Sequence, residues 1–167
     1  NFYLKQLHPK AKVLNLKTLM EIKTVKSVET LALEKNDLAE FDFIILPGYL
    51  IDKVQEGFID VFINTRSFME MNINTVNFYF SNIHRMIVED GIFYCVNRYQ
   101  KKTSGDIVKY KRLPFDKKWK FEISRQSFSQ DLIHEGLLRR INTENVKLKS
   151  ALSKLKPYDI EFFKSLI

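Results

Sequence analysis

The side chains best suited to chemistry gather where an apolar run at residues 58–63 gives way to Asn64-Thr65-Arg66-Ser67. Glu70 and His84 are the titratable groups nearest that point, and a carboxylate or an imidazole can each take a proton from a reacting hydroxyl. Glu70 is the better placed of the two, although a Glu at a helix start also serves simply as a partner for the helix dipole. His84 falls well along the next helix, which suits a surface position. Arg66 and Arg98 each carry a planar fork of donors that can hold a phosphate or carboxylate, or else sit as solvated surface charges.

Cys95 lies inside the apolar run Ile92-Phe93-Tyr94-Cys95-Val96 and reads as core packing rather than as a nucleophile. With one cysteine, and with His134 beside Glu135 but no repeated ligand spacing, no metal site is expected. The segment from Gln100 to Lys120 interleaves Lys101, Lys109, Arg112 and Lys118 with Tyr110, Phe115 and Trp119. Basic groups beside aromatic rings can grip and stack single-stranded nucleic acid. The same composition also fits a solvated loop or a surface for acidic glycans.

The elements that must position these groups follow from apolar patterning. A helical piece, Phe2-Tyr3-Leu4-Lys5-Gln6-Leu7, opens the chain without a cap and reads as a start partway through a domain. Residues 12–16 suit a short strand, and the stretch from there to Asn36 has no firm assignment. The runs 41–46, 58–63 and 92–96 each suit a buried strand. Tyr49 to Val54 reads as a short helical segment, and Asn72 to Val88 as a helix closed by Glu89-Asp90-Gly91. Strands of this kind alternating with helices predict an α/β fold with a parallel sheet covered on both faces, whose ligands bind beyond the carboxyl ends of the strands. Those ends are Pro47-Gly48-Tyr49, residues 64–67 and Asn97-Arg98-Tyr99.

Residues 100–120 suit a basic loop or short hairpin, and Trp119 to Ser124 a half-exposed antiparallel strand. From Gln130 to Ile167 the pattern reads as mainly helical, interrupted at Pro157. Leu138, Ile141, Asn145, Leu148, Leu152 and Leu155 fall at alternating steps of three and four, as in a coiled-coil seam. That seam would pair two copies of the chain or lie on the same domain. The resulting division is an α/β domain over 1–130 and a helical segment over 131–167.

The totals set outer limits. A chain of 167 residues, 45% apolar and 28% charged, has the composition of one globular domain with a core of its own. No run of about 18 apolar residues predicts a membrane span, and the lone cysteine points to a reducing, cytoplasmic setting. The formal charge of +7 favours acidic partners without choosing among them.

The strings Ile63-Asn64-Thr65-Arg66-Ser67-Phe68-Met69-Glu70-Met71 and Gly91-Ile92-Phe93-Tyr94-Cys95-Val96-Asn97-Arg98-Tyr99, a helix apart, resemble the sugar O-methyltransferase family. That family belongs to the class I S-adenosylmethionine-dependent group. The resemblance runs from about Phe41 to Phe128 and includes Thr103 to Ile107 and Trp119. It implies a Rossmann-like methyltransferase sheet, incomplete in its N-terminal half, with the runs at 41–46, 58–63 and 92–96 as third, fourth and fifth strands. It places Pro47, Gly48 and Tyr49 beside the adenine of S-adenosylmethionine, and Asn64, Thr65 and Arg66 near its methionine end. Met69, Asn97, Arg98 and Tyr99 would face a carbohydrate or nucleotide-sugar acceptor, with Glu70 as the catalytic base. The chain departs from the family in having no Gly-x-Gly motif and no acidic residue that can be assigned to the end of a second strand. The competing expectation is a basic α/β module without enzymatic activity that binds nucleic acid or an anionic glycan.

Overall fold

The computed structural model describes residues 2–103 and 106–141, and these form a mixed α/β fold in two compact units divided between Phe58 and Ile59. Most of the helical segment expected from patterning over 131–167 lies outside the described residues.

The first unit orders α1 (Phe2–Leu7), β1 (Val13–Asn15), α2 (Leu16–Ile22), α3 (Lys35–Leu38) and β2 (Phe43–Ile45). Asn15 ends β1 and caps α2, its Oδ1 accepting the Thr18 amide at 3.1 Å. Strands β1 and β2 pair in parallel, Leu14 opposite Ile44. Leu14, Leu19, Leu31, Leu33, Leu38 and Leu50 are all buried together. Expected as a buried strand, β2 instead leaves Ile44 and Ile45 exposed, because a two-stranded sheet has one partner to offer and the leucine cluster takes only one side. Residues 16–36, which patterning left unassigned, hold α2, a 3-10 turn at Val28–Thr30 and the start of α3.

The second unit is a four-stranded sheet in the order β3 (Ile59–Thr65), β4 (Ile87–Arg98), β8 (Ile133–Arg140), β7 (Trp119–Gln126). Between β4 and β7 lies a hairpin, β5 (Gln100–Thr103) with β6 (Asp106–Lys109), as the basic segment suggested. Strands β3 and β4 are parallel and joined through α4 (Ile73–Met86), while β4, β8 and β7 are mutually antiparallel. The sheet is therefore mixed rather than parallel throughout. In a doubly wound sheet the third strand lies beside the second and the fourth beside the fifth. The observed pairs β2 with β1 and β3 with β4 reproduce both neighbours.

Residues 133–140 are a strand and not the expected helix. From His134 onward burial alternates at period two, with His134, Gly136, Leu138 and Arg140 buried and Glu135, Leu137 and Arg139 only partly so. Leu138 thus belongs to the sheet core, and the rest of the proposed seam beyond Ile141 lies outside the described residues.

Helix α4 supplies one cover for this sheet. Asn72 caps it, accepting the Thr75 amide at 2.9 Å, and Val76, Phe80 and Ile83 form the buried stripe at steps of four and three. These meet Phe93 of β4, whose ring also lies 5.7 Å from that of Trp119 and 5.6 Å from that of Phe62. Edge-on and tilted aromatic pairs of this kind contribute roughly 0.5–1.5 kcal/mol each beyond their area. On the other face of the sheet Val61 and Ile63 are exposed.

The helix does not close at Glu89-Asp90-Gly91. It stops at Met86, Ile87 is already extended, and the three residues form a bulge inside β4, with Asp90 at φ 61°. The register with β3 jumps there, from Ile59 opposite Ile87 to Val61 opposite Ile92. Gly91 is required by closeness rather than by a helix end: a Cβ would fall 2.6 Å from Ile87 Cγ2 and 3.1 Å from the Asp60 carbonyl oxygen. Gly91→Ala should therefore cost about 1–3 kcal/mol, as overpacking does. Chemical denaturation checks this, and an unchanged midpoint would mean that the bulge can widen freely.

Candidate functional site

The carboxyl ends of β3 and β4 bring Asn64, Ser67 and Asn97 into one hydrogen-bonded cluster. Neighbouring parallel strands end together, and the register that sets Asn64 opposite Cys95 leaves Asn97 one pleat further along the same face. Asn97 is fully buried, and its Nδ2 donates to Asn64 Oδ1 at 2.9 Å. Asn64 Nδ2 in turn donates to Ser67 Oγ. The other end of the buried amide, Asn97 Oδ1, has no hydrogen-bond partner among the described residues. A buried acceptor left without a donor costs about 1–3 kcal/mol, so this atom is suited to a donor that arrives from outside the protein.

Arg66 makes the turn. Its φ of 65° is the left-handed conformation, which an arginine adopts only when its surroundings impose it. The imposing contact is its own amide, which donates to the Val96 carbonyl at 2.6 Å and ties the loop after β3 to β4. Thr65 and the Arg66 side chain are exposed. The 3-10 turn Phe68–Glu70 follows, with Phe68 and Met69 buried in the core and Glu70 pointing outward. Glu70 pairs with Lys101 Nζ of β5, so the hairpin reaches the turn after β3 and gives this carboxylate a cationic neighbour.

The expected acceptor-facing set is divided by strand alternation. Asn97 and Tyr99 project toward the core side while Arg98 between them is exposed, so the three cannot line one surface. The Tyr99 hydroxyl lies 3.3 Å from His134 Nδ1, and His134 Nε2 lies 3.2 Å from Ser124 Oγ. Met69 is buried in the core cluster of the second unit. Pro47, Gly48 and Tyr49 belong to the first unit, where they begin the 3-10 turn Gly48–Lys53 after β2 and Tyr49 is exposed.

His84 stands near the far end of α4 from this cluster, roughly 17 Å along the helix from its first residue at 1.5 Å per residue. It pairs there with Asp116 and Arg140, and Arg140 Nη1 holds both Asp116 oxygens at 3.0 and 3.1 Å. That ion cluster fastens the helix to the residues before β7. Cys95 is buried as expected, and burial pushes its thiol up to about 12, which removes it from nucleophilic chemistry. In the basic segment Tyr110 and Trp119 are core residues. No stacking platform for nucleic-acid bases is formed by them, although Lys111, Arg112, Lys118 and Lys120 remain exposed. No group of three or more metal-ligating side chains occurs among the described residues. None of their helices is long and apolar enough to cross a membrane.

Sequence reasoning missed Ser67, the pairing of Lys101 with Glu70 and the Tyr99–His134–Ser124 chain. The Asn-x-x-Ser spacing at 64–67 carried a local signal, since a short polar side chain three residues on often closes such a turn. The other two depend on the β5–β6 and β7–β8 pairings and have no local signature.

No protein-family model matches the chain, and no curated protein sequence does. Among solved structures, the chain is similar to a candidate type 11 methyltransferase from Sulfolobus solfataricus, with a TM-score of 0.42 and 15% identity, covering 86% of this chain and 79% of that one. It is similar also to the PH0226 protein from Pyrococcus horikoshii OT3, with a TM-score of 0.42 and 10% identity over 83% of this chain and 86% of that one.

His134 makes the second unit acid-sensitive. Burial lowers its pKa from 6.5 to about 4, so in that interval the unfolded chain binds a proton that the folded chain does not. Its contribution is complete above pH 6.5 and is lost as pH falls toward 4, at about 1.4 kcal/mol per unit or roughly 3 kcal/mol in all. Urea titrations at pH 7 and pH 4 should show His134→Gln losing about that much less than the unsubstituted protein. Parallel losses in the two would assign the acid sensitivity elsewhere.

Proposed function

We propose that this chain forms the acceptor side of an S-adenosylmethionine-dependent O-methyltransferase domain acting on a sugar hydroxyl. The observation that carries the reading is the polar cluster of Asn64, Ser67 and Asn97 at the carboxyl ends of two adjacent parallel strands, with Glu70 and Lys101 beside it. Ligands of open α/β sheets bind at that edge. The strand neighbours and the two family-like strings add support.

An alcohol is a poor nucleophile until its proton is drawn off. Glu70 is exposed at the edge of the cluster and can take that proton, while its ion pair with Lys101 fixes the direction of the carboxylate. The exposed Arg66 and Arg98 suit a phosphate or carboxylate on the acceptor, as a nucleotide-sugar would carry. Asn97 Oδ1, the unpartnered acceptor, suits a hydroxyl or ammonium donor.

The fit to the cofactor is partial. S-adenosylmethionine would supply the electrophilic methyl, and Asn64, Thr65 and Arg66 offer groups appropriate to its methionine end. The ribose hydroxyls need a carboxylate after the second strand. The strand beside β2 ends instead on Asn15, whose Oδ1 is taken up by Thr18. With no Gly-x-Gly motif in the sequence either, these residues do not by themselves make a cofactor cradle.

A specific observation also favours a second reading. Lys111, Arg112, Lys118 and Lys120 form an exposed basic stretch that suits an acidic partner by charge alone. Binding of that kind would weaken steeply with salt.

Transfer of a labelled methyl group by the full-length gene product to a panel of free and nucleotide-linked sugars tests the proposal. Glu70→Gln should lower kcat by about a hundred- to ten-thousand-fold with KM little changed, the loss typical of a general base. Transfer at the original rate would remove Glu70 from the chemistry. Sugars left unmodified while another acceptor class is methylated would overturn the acceptor assignment.

A further inference from the structure

Strand β7 pairs with β8 so that Ser124 stands opposite Gly136 and Gln126 opposite His134. Ser124 and His134 therefore lie on the same face of the sheet, one pleat apart across the ladder. Gly136 leaves the position opposite Ser124 without a side chain, and a Cβ there would meet the Tyr110 hydroxyl. Ser124 is exposed, and its Oγ lies 3.2 Å from His134 Nε2. The other ring nitrogen, Nδ1, lies 3.3 Å from the Tyr99 hydroxyl. His134 is 1% exposed, and its ring packs on those of Tyr110 at 4.5 Å and Tyr99 at 5.2 Å between centroids, which holds its direction. An accessible hydroxyl, an imidazole within its reach and a third group fixing the far ring nitrogen are the parts that make a hydroxyl nucleophilic.

We propose that Ser124 is a nucleophilic serine that takes an acyl group from an activated acyl donor, with His134 as its base and Tyr99 positioning the imidazole. The ring proton sits on Nδ1 and is donated to the Tyr99 oxygen, so Nε2 accepts the Ser124 hydroxyl. Oγ attacks the carbonyl carbon of the donor while its proton passes to Nε2. The bond from that carbon to the leaving oxygen or sulfur then breaks, and the leaving atom departs with the electron pair. The acyl group stays on Ser124 as an ester, and His134 releases its proton to solvent. Burial selects the class of donor. It lowers the His134 pKa to about 4, so the ring is neutral at pH 7 but a weak base. A weak base suits leaving groups that depart as anions, which means aryl esters and thioesters. Glu135 acts on the ring in the opposite direction and is the smaller influence, its carboxylate being held by Arg125 at 3.1 Å and Ser127 at 2.8 Å. The other groups facing the ring, Tyr99 and Tyr110, are hydroxyls. This chemistry is separate from methyl transfer and does not require it.

The test exposes the full chain to para-nitrophenyl acetate and locates acetyl groups by peptide mass spectrometry over time. Ser81 is the internal reference, an exposed serine whose hydroxyl donates to the Phe78 carbonyl of its own helix at 2.9 Å. Ser124 should acetylate about a hundredfold faster than Ser81 or more, the range that one general base supplies. Its rate should stay level between pH 5 and pH 7, where His134 is already neutral. His134→Gln should bring Ser124 down to the rate of Ser81, and Tyr99→Phe should slow it about tenfold by freeing the ring. Equal rates at the two serines in the unsubstituted protein would overturn the proposal, whether or not either variant folds. So would a Ser124 rate rising about tenfold per pH unit, the mark of a serine that reacts as its free alkoxide. An unchanged Ser124 rate in folded His134→Gln or Tyr99→Phe would overturn it as well.

Discussion

Strand β4 is hydrogen-bonded along both edges, in parallel to β3 and antiparallel to β8. A strand held on both sides cannot rotate its side chains out of alternation, so each residue of Ile92–Arg98 is committed to one face of the sheet. Phe93, Cys95 and Asn97 go to the side that α4 covers. Ile92, Tyr94, Val96 and Arg98 go to the other. The core and the polar cluster both follow from that commitment. A one-residue slip would bury Arg98 and expose Phe93, and the bulge at Asp90 and Gly91 prevents it by fixing where the register begins.

The candidate site follows from the same register. Placing an amide at the last buried position of β4 obliges the protein to satisfy it, and Asn64 at the end of β3 answers one side of that demand. Ser67 extends the network, and the left-handed Arg66 holds the connecting turn against Val96. What remains is an acceptor atom, Asn97 Oδ1, without a partner among the described residues, at the edge of the sheet where α/β proteins bind ligands. Glu70 stands exposed beyond the turn, paired with Lys101. The arrangement combines a rigid, desolvated interior with a reactive group at its margin.

Much of this was legible in the sequence where the signal is local. Short apolar runs stopped by polar turns located β2, β3 and β4, and the stripe Val76, Phe80, Ile83 located α4. Asn64, Glu70 and Asn97 stood out because they close those runs. The failures share a cause in long-range pairing. Residues 133–140 carry Leu137-Leu138 and Arg139-Arg140, which a helix tolerates as readily as a strand, and only pairing with β4 and β7 decides the matter. Met69 and Tyr99 lie beside polar residues in sequence yet are claimed by the core, Met69 together with Phe68 on one side of a 3-10 turn and Tyr99 just past the end of β4. The basic segment misled in the same way, its aromatic residues serving the interior while its lysines face water.

The proposed function requires the edge formed by β3 and β4 to meet a methyl donor and its acceptor. Calorimetric titration of S-adenosylhomocysteine into the full-length gene product, with Asn64→Ala in parallel, tests it most directly. The account predicts saturable binding that weakens by about five- to tenfold when Asn64 is replaced, the loss of one buried hydrogen bond being worth about 1 kcal/mol or somewhat more. Absence of binding, or binding indifferent to Asn64, would contradict it.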